Sequence, residues 1–326
     1  MSAHGSFARQ NHPMTADKIP RRTVGVLERP AGWVLFERRA ANKTLSTYWK
    51  LPGGKIDTDE YAREALIREM QEELGIHATQ VRPWITRTFD YPHGLFLLRI
   101  FRITAWDAEP RPMEGQELSW QDPKNLRLDP VLPAHRKVLN ALNLSPIYAI
   151  SQAGKLGMEL FLERLQLALN HGVRLIQVRE KGMPVAQLHE FAGTVVAMCR
   201  PFGAKVMING DIELARSVGA DGVHLQPEHY RKLHARPAGN LLWAAACHNR
   251  TELLQAARLD ADFAVLSPVL KTRSHPGAEV LGWHGFAEAI RDLPMPVYAL
   301  GGMKKGLLES VRYHNAHGIA MLSGIW

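Results

Sequence analysis

The sequence predicts an α+β sandwich followed by an α/β (β/α)8 barrel. Three observations carry that expectation. From Arg22 to about Leu144 the chain is strand-rich, with a few helical segments. Beyond Asn143-Leu144-Ser145-Pro146, short apolar strands and helical stretches alternate about eight times. At 326 residues there is chain enough for two ordinary cores.

Residues 1–20 begin MSAHGSFARQNHPMTADK, which holds no apolar segment. A disordered tail is expected there, and not a signal peptide. The first domain is expected over 21–143. TVGVL and GWVLFERR alternate and flank Pro30-Ala31-Gly32, which reads as a hairpin. A glutamate-rich helix follows. TRTFDY and LFLLRIFRITAW form a second strand pair around Pro92-His93-Gly94, and a short helix from Ala134 to Leu142 closes the unit. A linker is expected at 144–147 and the second domain over 148–326. Its strands YAIS, LIQVRE, KVMIN, GVHL, WAAAC, FAVLSP, VYALGG and IAMLSG are continuously apolar, as in a parallel sheet buried on both faces. Eight of them predict a closed barrel. No helix is predicted between the eighth strand and Trp326. One barrel flank is therefore expected to be covered by the first domain, the tail or a second copy of the chain.

Apolar content of 46% and charged content of 22% are those of a soluble globular protein. A net charge of +8 suits nucleic acid and phosphorylated small molecules alike. No Lys/Arg run is long enough for a nucleic-acid arm, so direct nucleic-acid binding is not expected. Cys199 and Cys247 make neither a disulfide framework nor a zinc pattern, which suits a reducing cytoplasm. No stretch approaches the length of a membrane span.

The most informative segment starts at Gly53 and reads GGKIDTDEYAREALIREMQEELGI. On a helix Glu69, Glu72 and Glu73 stand at i, i+3 and i+4, so three carboxylates crowd one face. They repel unless a cation neutralises them. Mg²⁺ does this well, with Mn²⁺ as an alternative, because a hard cation takes oxygen ligands and bridges carboxylates to a substrate phosphate. A solvated acidic helix would explain the glutamates but not Gly54, Arg68 and Gly75 at their offsets. Leu66, Ile67, Met70 and Leu74 form the face that should pack down.

Those offsets match the Nudix hydrolase signature: Gly54, Glu60, Arg68, Glu69, Met70, Glu72, Glu73, Gly75 and Ile76, with no departure. RRAANKTLSTYWKLPGGK, FDYPHG, EPRPMEGQELSW and LPAHRKVL resemble segments of MutT-type 8-oxo-dGTP diphosphatases, in the same order, over roughly 22–143. The resemblance implies that Glu69, Glu72 and Glu73 hold the metal, with the Gly54 carbonyl as a fourth ligand. It implies Arg68 as their partner, Glu114 as a further metal or base residue, and Arg39, Tyr91 and His135 facing the nucleotide. The reaction implied is hydrolysis of a nucleoside triphosphate to the monophosphate and pyrophosphate, a glutamate taking the proton of the attacking water. The family reads its oxidised purine with an asparagine where this chain has His135. Histidine lacks the amide's paired donor and acceptor, so strict selection of 8-oxoguanine is not implied. A surface histidine at a helix start is the alternative.

In the second half Gln177, Arg179 and Lys181 alternate and should point one way, into the barrel mouth. Arg and Lys there make an anion site, although a solvated strand end fits as well. LIQVREKG, MINGDIELARSVGADGVHLQPE, AACHNRTE, ADFAVLSPVLKTRSHPG, PVYALGGM and GIAMLSGIW resemble thiamine-phosphate synthase and the thiazole tautomerase TenI over roughly 147–326. That implies Gln177, Arg179, Lys181 and Asn209 facing a pyrimidine pyrophosphate. Thr272, Ser274, Gly302, Ser323 and Gly324 would face a thiazole phosphate. Three positions depart. Gly210 and His229 stand for two metal-binding aspartates, and His275 stands for a lysine. Asp211 falls one residue late and Asp221 belongs to a structural turn, so coupling should be slow or absent. His248, beside Cys247, stands where such tautomerases keep a histidine, which implies a proton shuttle. The barrel is thus a weak synthase, a tautomerase or a non-catalytic thiamine-phosphate binding module. The Nudix half could instead act on a thiamine-pathway diphosphate, and a homodimer is open.

Overall fold

The computed structural model describes residues 19–30, 32–38, 47–91, 94–237, 239–272, 277 and 279–326. Residues 1–18 of the expected tail lie outside them, as do Ala31, Pro92 and His93 of the two expected turns.

The first half runs β1 (Arg21–Leu27), β2 (Val34–Arg38), β3 (Trp49–Lys50), α1 (Ala62–Leu74), β4 (Ala78–Tyr91), β5 (Gly94–Trp106), β6 (Glu117–Gln121) and α2 (Pro133–Leu142). Two three-stranded sheets form, β1-β5-β4 and β3-β2-β6. The antiparallel β4–β5 pair is as expected. The expected β1–β2 hairpin is not. β1 pairs in parallel with β5, β2 pairs with β3 and β6, and a single bridge, Glu28 to Val34, joins the two strands. The reason is burial on both faces. Val24, Val26 and Leu27 of β1 and Val34, Leu35 and Phe36 of β2 are all buried. Each strand must lie between two covering layers, so the turn carries the chain from one sheet to the other.

On α1, Leu66, Met70 and Leu74 are fully buried and pack with Leu27, Leu35 and Ile103. The helix ends at Gly75, whose φ of 65° is left-handed. Its N–H donates to the Gln71 carbonyl at 3.0 Å and the Ile76 N–H to Met70 at 3.3 Å. A side chain at 75 would be strained in that cap.

The second half is a closed barrel of eight parallel strands. They are β7 (Ile147–Ile150), β8 (Leu175–Val178), β9 (Lys205–Asn209), β10 (Gly222–Leu225), β11 (Leu242–Cys247), β12 (Phe263–Leu266), β13 (Val297–Ala299) and β14 (Gly318–Met321). Between them lie α3 (Ala153–Leu156), α4 (Met158–Asn170), α5 (Val185–Cys199), α6 (Ile212–Ser217), α7 (Pro227–Tyr230), α8 (Arg250–Arg258), α9 (Gly282–Ala289) and α10 (Leu308–Tyr313). Tyr148, Leu175, Met207, Phe263 and Tyr298 fill the interior, so the barrel is a packed core and not a pore. At the flank between β14 and β7 the last residue folds back. The Trp326 ring lies 4.8 Å from Phe161 of α4, and its Nε1 donates to the Ile150 carbonyl at 2.6 Å.

The two halves meet at the amino-terminal rim of the barrel strands. The Thr86 N–H of β4 donates to the Leu293 carbonyl at 2.8 Å, and Arg87 reaches Pro294 O and Asp260. Arg99 pairs with Asp292, Lys137 with Asp260, and Trp84 stacks on His317 at 5.8 Å. Asp260, Asp292 to Pro294 and His317 precede β12, β13 and β14. The first domain thus forms a floor under the barrel, and it is not the flank cover that was one of three expected. No helix among the described residues is long and apolar enough to cross a membrane.

Candidate active site

Helix α1 and the loop before it build the acidic site. Arg68 lies among carboxylates, bonding Glu60 (3.0 and 3.1 Å), Glu69 (3.2 Å) and Glu72 (3.0 Å). Its hydrogen bonds hold Glu60 below the usual carboxyl range. Glu69 is mostly buried, and burial raises its proton affinity against the pull of Arg68. Glu72 is half exposed. Glu73 is buried, accepts from the Gly53 N–H at 3.2 Å and lies 3.8 Å from Lys50 Nζ. Burial pushes its carboxyl up to about 7, with Lys50 opposing and Glu37 adding to the rise.

The expected crowding of three glutamates is relieved by Arg68. Among the described residues no three His, Cys, Asp or Glu side chains converge as a ready metal shell. The donor set nevertheless fits a hard cation. All donors are oxygens, and a Cβ at Gly54 would overlap the Glu69 carboxylate and displace it, so glycine lets Glu69 sit where it does. Glu37, 1% exposed, pairs with Lys50, and its Oε2 has no hydrogen-bond partner. The Gly54 carbonyl accepts from the Thr23 N–H at 3.0 Å, which uses one of its two lone pairs. Glu114 is exposed on a loop tied to the end of α1 by Arg111 N–H to Leu74 O (2.9 Å), Met113 N–H to Glu73 O (3.1 Å) and Gln116 Nε2 to Glu73 O (2.6 Å).

Beside the acidic site lies a cleft of about 650 Å³, counting its open mouth. Tyr48, Tyr91 and Phe96 are its aromatic wall, Leu98 and Leu132 its apolar floor, and Arg22, Lys50 and His135 its polar groups. Tyr91 and Phe96 meet edge to face at 5.4 Å. His135 is not the surface residue that the sequence left open. It is 3% exposed, and its Nδ1 accepts from the Leu51 N–H at 2.8 Å. Arg39 lies outside the described residues. Glu37, Lys50 and the Leu51 amide were not anticipated. The available signal was a glutamate directly after the apolar run Val34-Leu35-Phe36.

In the barrel, Gln177 lies on β8 while Arg179 and Lys181 follow it in the loop, so the three do not share one strand. Gln177 is buried and its Nε2 lacks a partner, and nearby the Tyr148 hydroxyl lies 3.1 Å from His224 Nδ1. Asn209 ends β9 and accepts from Gln226 Nε2 at 3.3 Å. Thr272, Gly302, Ser323 and Gly324 follow β12, β13 and β14, so topology brings them to the same carboxyl-terminal rim. A Cβ at Gly302 would lie 2.8 Å from Leu270 Cβ and 3.0 Å from Lys271 O. Ser274 and His275 lie outside the described residues. His229 lies over Gly210, where an added Cβ would be 3.4 Å from its Cε1. Asp211 caps α6 through the Leu214 N–H (2.8 Å), and Asp221 holds the Val206 N–H (2.8 Å). Glu180 accepts from the Ala153 and Gly154 N–H groups, both at 2.8 Å. These carboxylates serve the backbone. His248 is exposed, with Nδ1 3.0 Å from the Ser267 carbonyl, which makes Nδ1 the donor and leaves Nε2 to accept a proton.

The architecture is thus a two-domain fusion, a carboxylate helix beside an aromatic cleft followed by a barrel with Arg179 and Lys181 in the loop after β8. The family described as NUDIX domain matches residues 19–142, and the family described as thiamine monophosphate synthase matches 147–325. The chain therefore belongs to the thiamine monophosphate synthase family through its barrel and carries a Nudix hydrolase domain ahead of it. It is 32% identical to the thiamine-phosphate synthase of Thiobacillus denitrificans, over 52% of this chain and 81% of that protein. It is 30% identical to the thiamine-phosphate synthase of Pyrococcus furiosus, over 50% and 80%. Among solved structures, a MutT NUDIX hydrolase from Burkholderia pseudomallei is 27% identical, covering 37% of this chain and 96% of that one, with a TM-score of 0.35.

Proposed function

We propose that the first half hydrolyses a nucleoside triphosphate to the monophosphate and pyrophosphate with Mg²⁺, or Mn²⁺ in its place. One observation carries this: the complete glycine-to-glutamate signature, with Glu69 seated over Gly54, adjoins an open cleft with aromatic walls and basic groups. Glu69, Glu72, Glu73 and the Gly54 carbonyl would hold the cation, which neutralises diphosphate oxygens and activates water. Arg68 fixes the glutamate rotamers. Tyr91 and Phe96 wall the base, and Arg22 lies at the cleft for the phosphates. Glu114, on its pinned loop, takes the proton. The MutT resemblance offers 8-oxo-dGTP as an alternative substrate, and His135 in place of the family's asparagine weighs against strict selection for it. The barrel, with its mouth carboxylates tied to backbone, is proposed to bind a thiamine-pathway phosphate without a cation, His248 serving as a proton shuttle.

The test is the full chain with Mg²⁺ against dGTP, 8-oxo-dGTP and thiamine diphosphate, with product identification and Glu73→Gln as control. Pyrophosphate release from nucleotides, lost in the variant, supports the reading. Cleavage of thiamine diphosphate alone transfers it to the thiamine pathway. For the barrel, unchanged turnover of thiazole phosphate by His248→Ala with binding retained ends the shuttle role.

A further inference from the structure

One hydrogen bond fixes the chemistry of the base-side cleft. A backbone N–H can only donate, so the bond from Leu51 N–H to His135 Nδ1, at 2.8 Å, requires that Nδ1 be bare. The ring is 3% exposed, and burial together with nearby Lys50 holds its proton affinity down to about 3. The imidazole is therefore neutral with its single hydrogen on Nε2. That nitrogen makes no hydrogen bond within the described residues, and the ring lines the cleft beside Leu132 and Leu98. Rotating the ring to offer an acceptor would strand the Leu51 N–H, a buried donor.

We propose that His135 is a specificity-determining residue that presents one N–H donor and no acceptor to the base. This rests on the reading of the first half as a nucleoside triphosphate hydrolase. The ligand class follows from complementarity. A planar nitrogen heterocycle with a ring acceptor at that edge is taken, as in a purine whose N7 carries a lone pair. An 8-oxopurine carries hydrogen on N7 and sets donor against donor. The cleft thus selects ordinary purine nucleotides over oxidised ones.

The experiment compares kcat/KM of the full chain, with Mg²⁺, for dGTP, 8-oxo-dGTP and 7-deaza-dGTP, the last having C–H in place of N7. Wild type is expected to favour dGTP over both analogues by about tenfold, the worth of one buried hydrogen bond. His135→Asn offers an amide donor and acceptor, and should raise the 8-oxo-dGTP to dGTP ratio by about tenfold. Wild-type preference for 8-oxo-dGTP, equal use of 7-deaza-dGTP, or an unchanged ratio in the variant overturns the inference while leaving the hydrolase intact. Cleavage of none of the three overturns the hydrolase reading and the inference with it. The wild-type comparison stands even if the variant does not fold.

Discussion

Burial lifts the Glu73 carboxyl to about 7 while Lys50, 3.8 Å away, pulls the other way. The folded-state value lies above the 4.5 of an unperturbed glutamate. Its contribution to stability is thus complete below about 4.5 and is lost as pH rises through about 7. Metal-free protein should show a Tm that falls between about pH 5 and pH 8. Glu73→Gln should flatten that fall, and Mg²⁺ should raise wild-type Tm more at the alkaline end; differential scanning fluorimetry reads both. In turnover, losing the proposed ligand should remove several kcal/mol of charge stabilisation, and kcat should drop by about two orders of magnitude or more. The thiols make a cheaper check. Burial pushes Cys199 and Cys247 up to about 12, so neither should react with a thiol reagent at neutral pH until the chain unfolds. At this scale the glutamates of α1 were legible because nine residues fell at fixed offsets. Glu37 and the His135 proton were not, since each depends on a cross-strand partner, Lys50 or the Leu51 amide, that chain order does not bring near.

Helix α1 and strand β4 carry the next level. The buried face of α1 was readable from its period, and Leu66→Ala there should cost about 2–5 kcal/mol, measured by denaturant unfolding. The same variant should weaken hydrolysis, because the helix positions Glu69 and Glu73. Strands β1 and β2 were read as a hairpin because a turn signal separated two alternating runs. Short apolar strands do not say which sheet they join, and here burial on both faces sent them to different ones. Strand β4 is the edge of its sheet, and its Thr86 N–H bonds the loop before β13. Arg87→Ala removes the charged hydrogen bonds to Pro294 O and Asp260, and should weaken the join by about 1.5–3 kcal/mol. Calorimetry should then resolve the single transition of a docked pair into two.

Over the whole molecule, eight apolar strands in sequence were enough to foretell a closed barrel. The docking of one domain under the other was not legible, because Asp260, Asp292 and His317 are ordinary loop residues until Arg87, Arg99, Lys137 and Trp84 are brought to them. The barrel mouth opens at the rim opposite this join. Direct transfer of a product between the halves has no path through the contact. Saturating thiazole phosphate should therefore leave the nucleotide KM within about twofold of its unliganded value, as expected where coupling energy is below that of allosteric pairs. Steady-state kinetics with and without the phosphate reads this. With Tyr148, Phe263 and Tyr298 filling the interior and the first domain docked under the amino-terminal rim, the barrel offers no passage from end to end. A ligand taken at the carboxyl-terminal rim would have to depart on the side from which it arrived, so a leaving compound would contend with the next arrival for the same threshold.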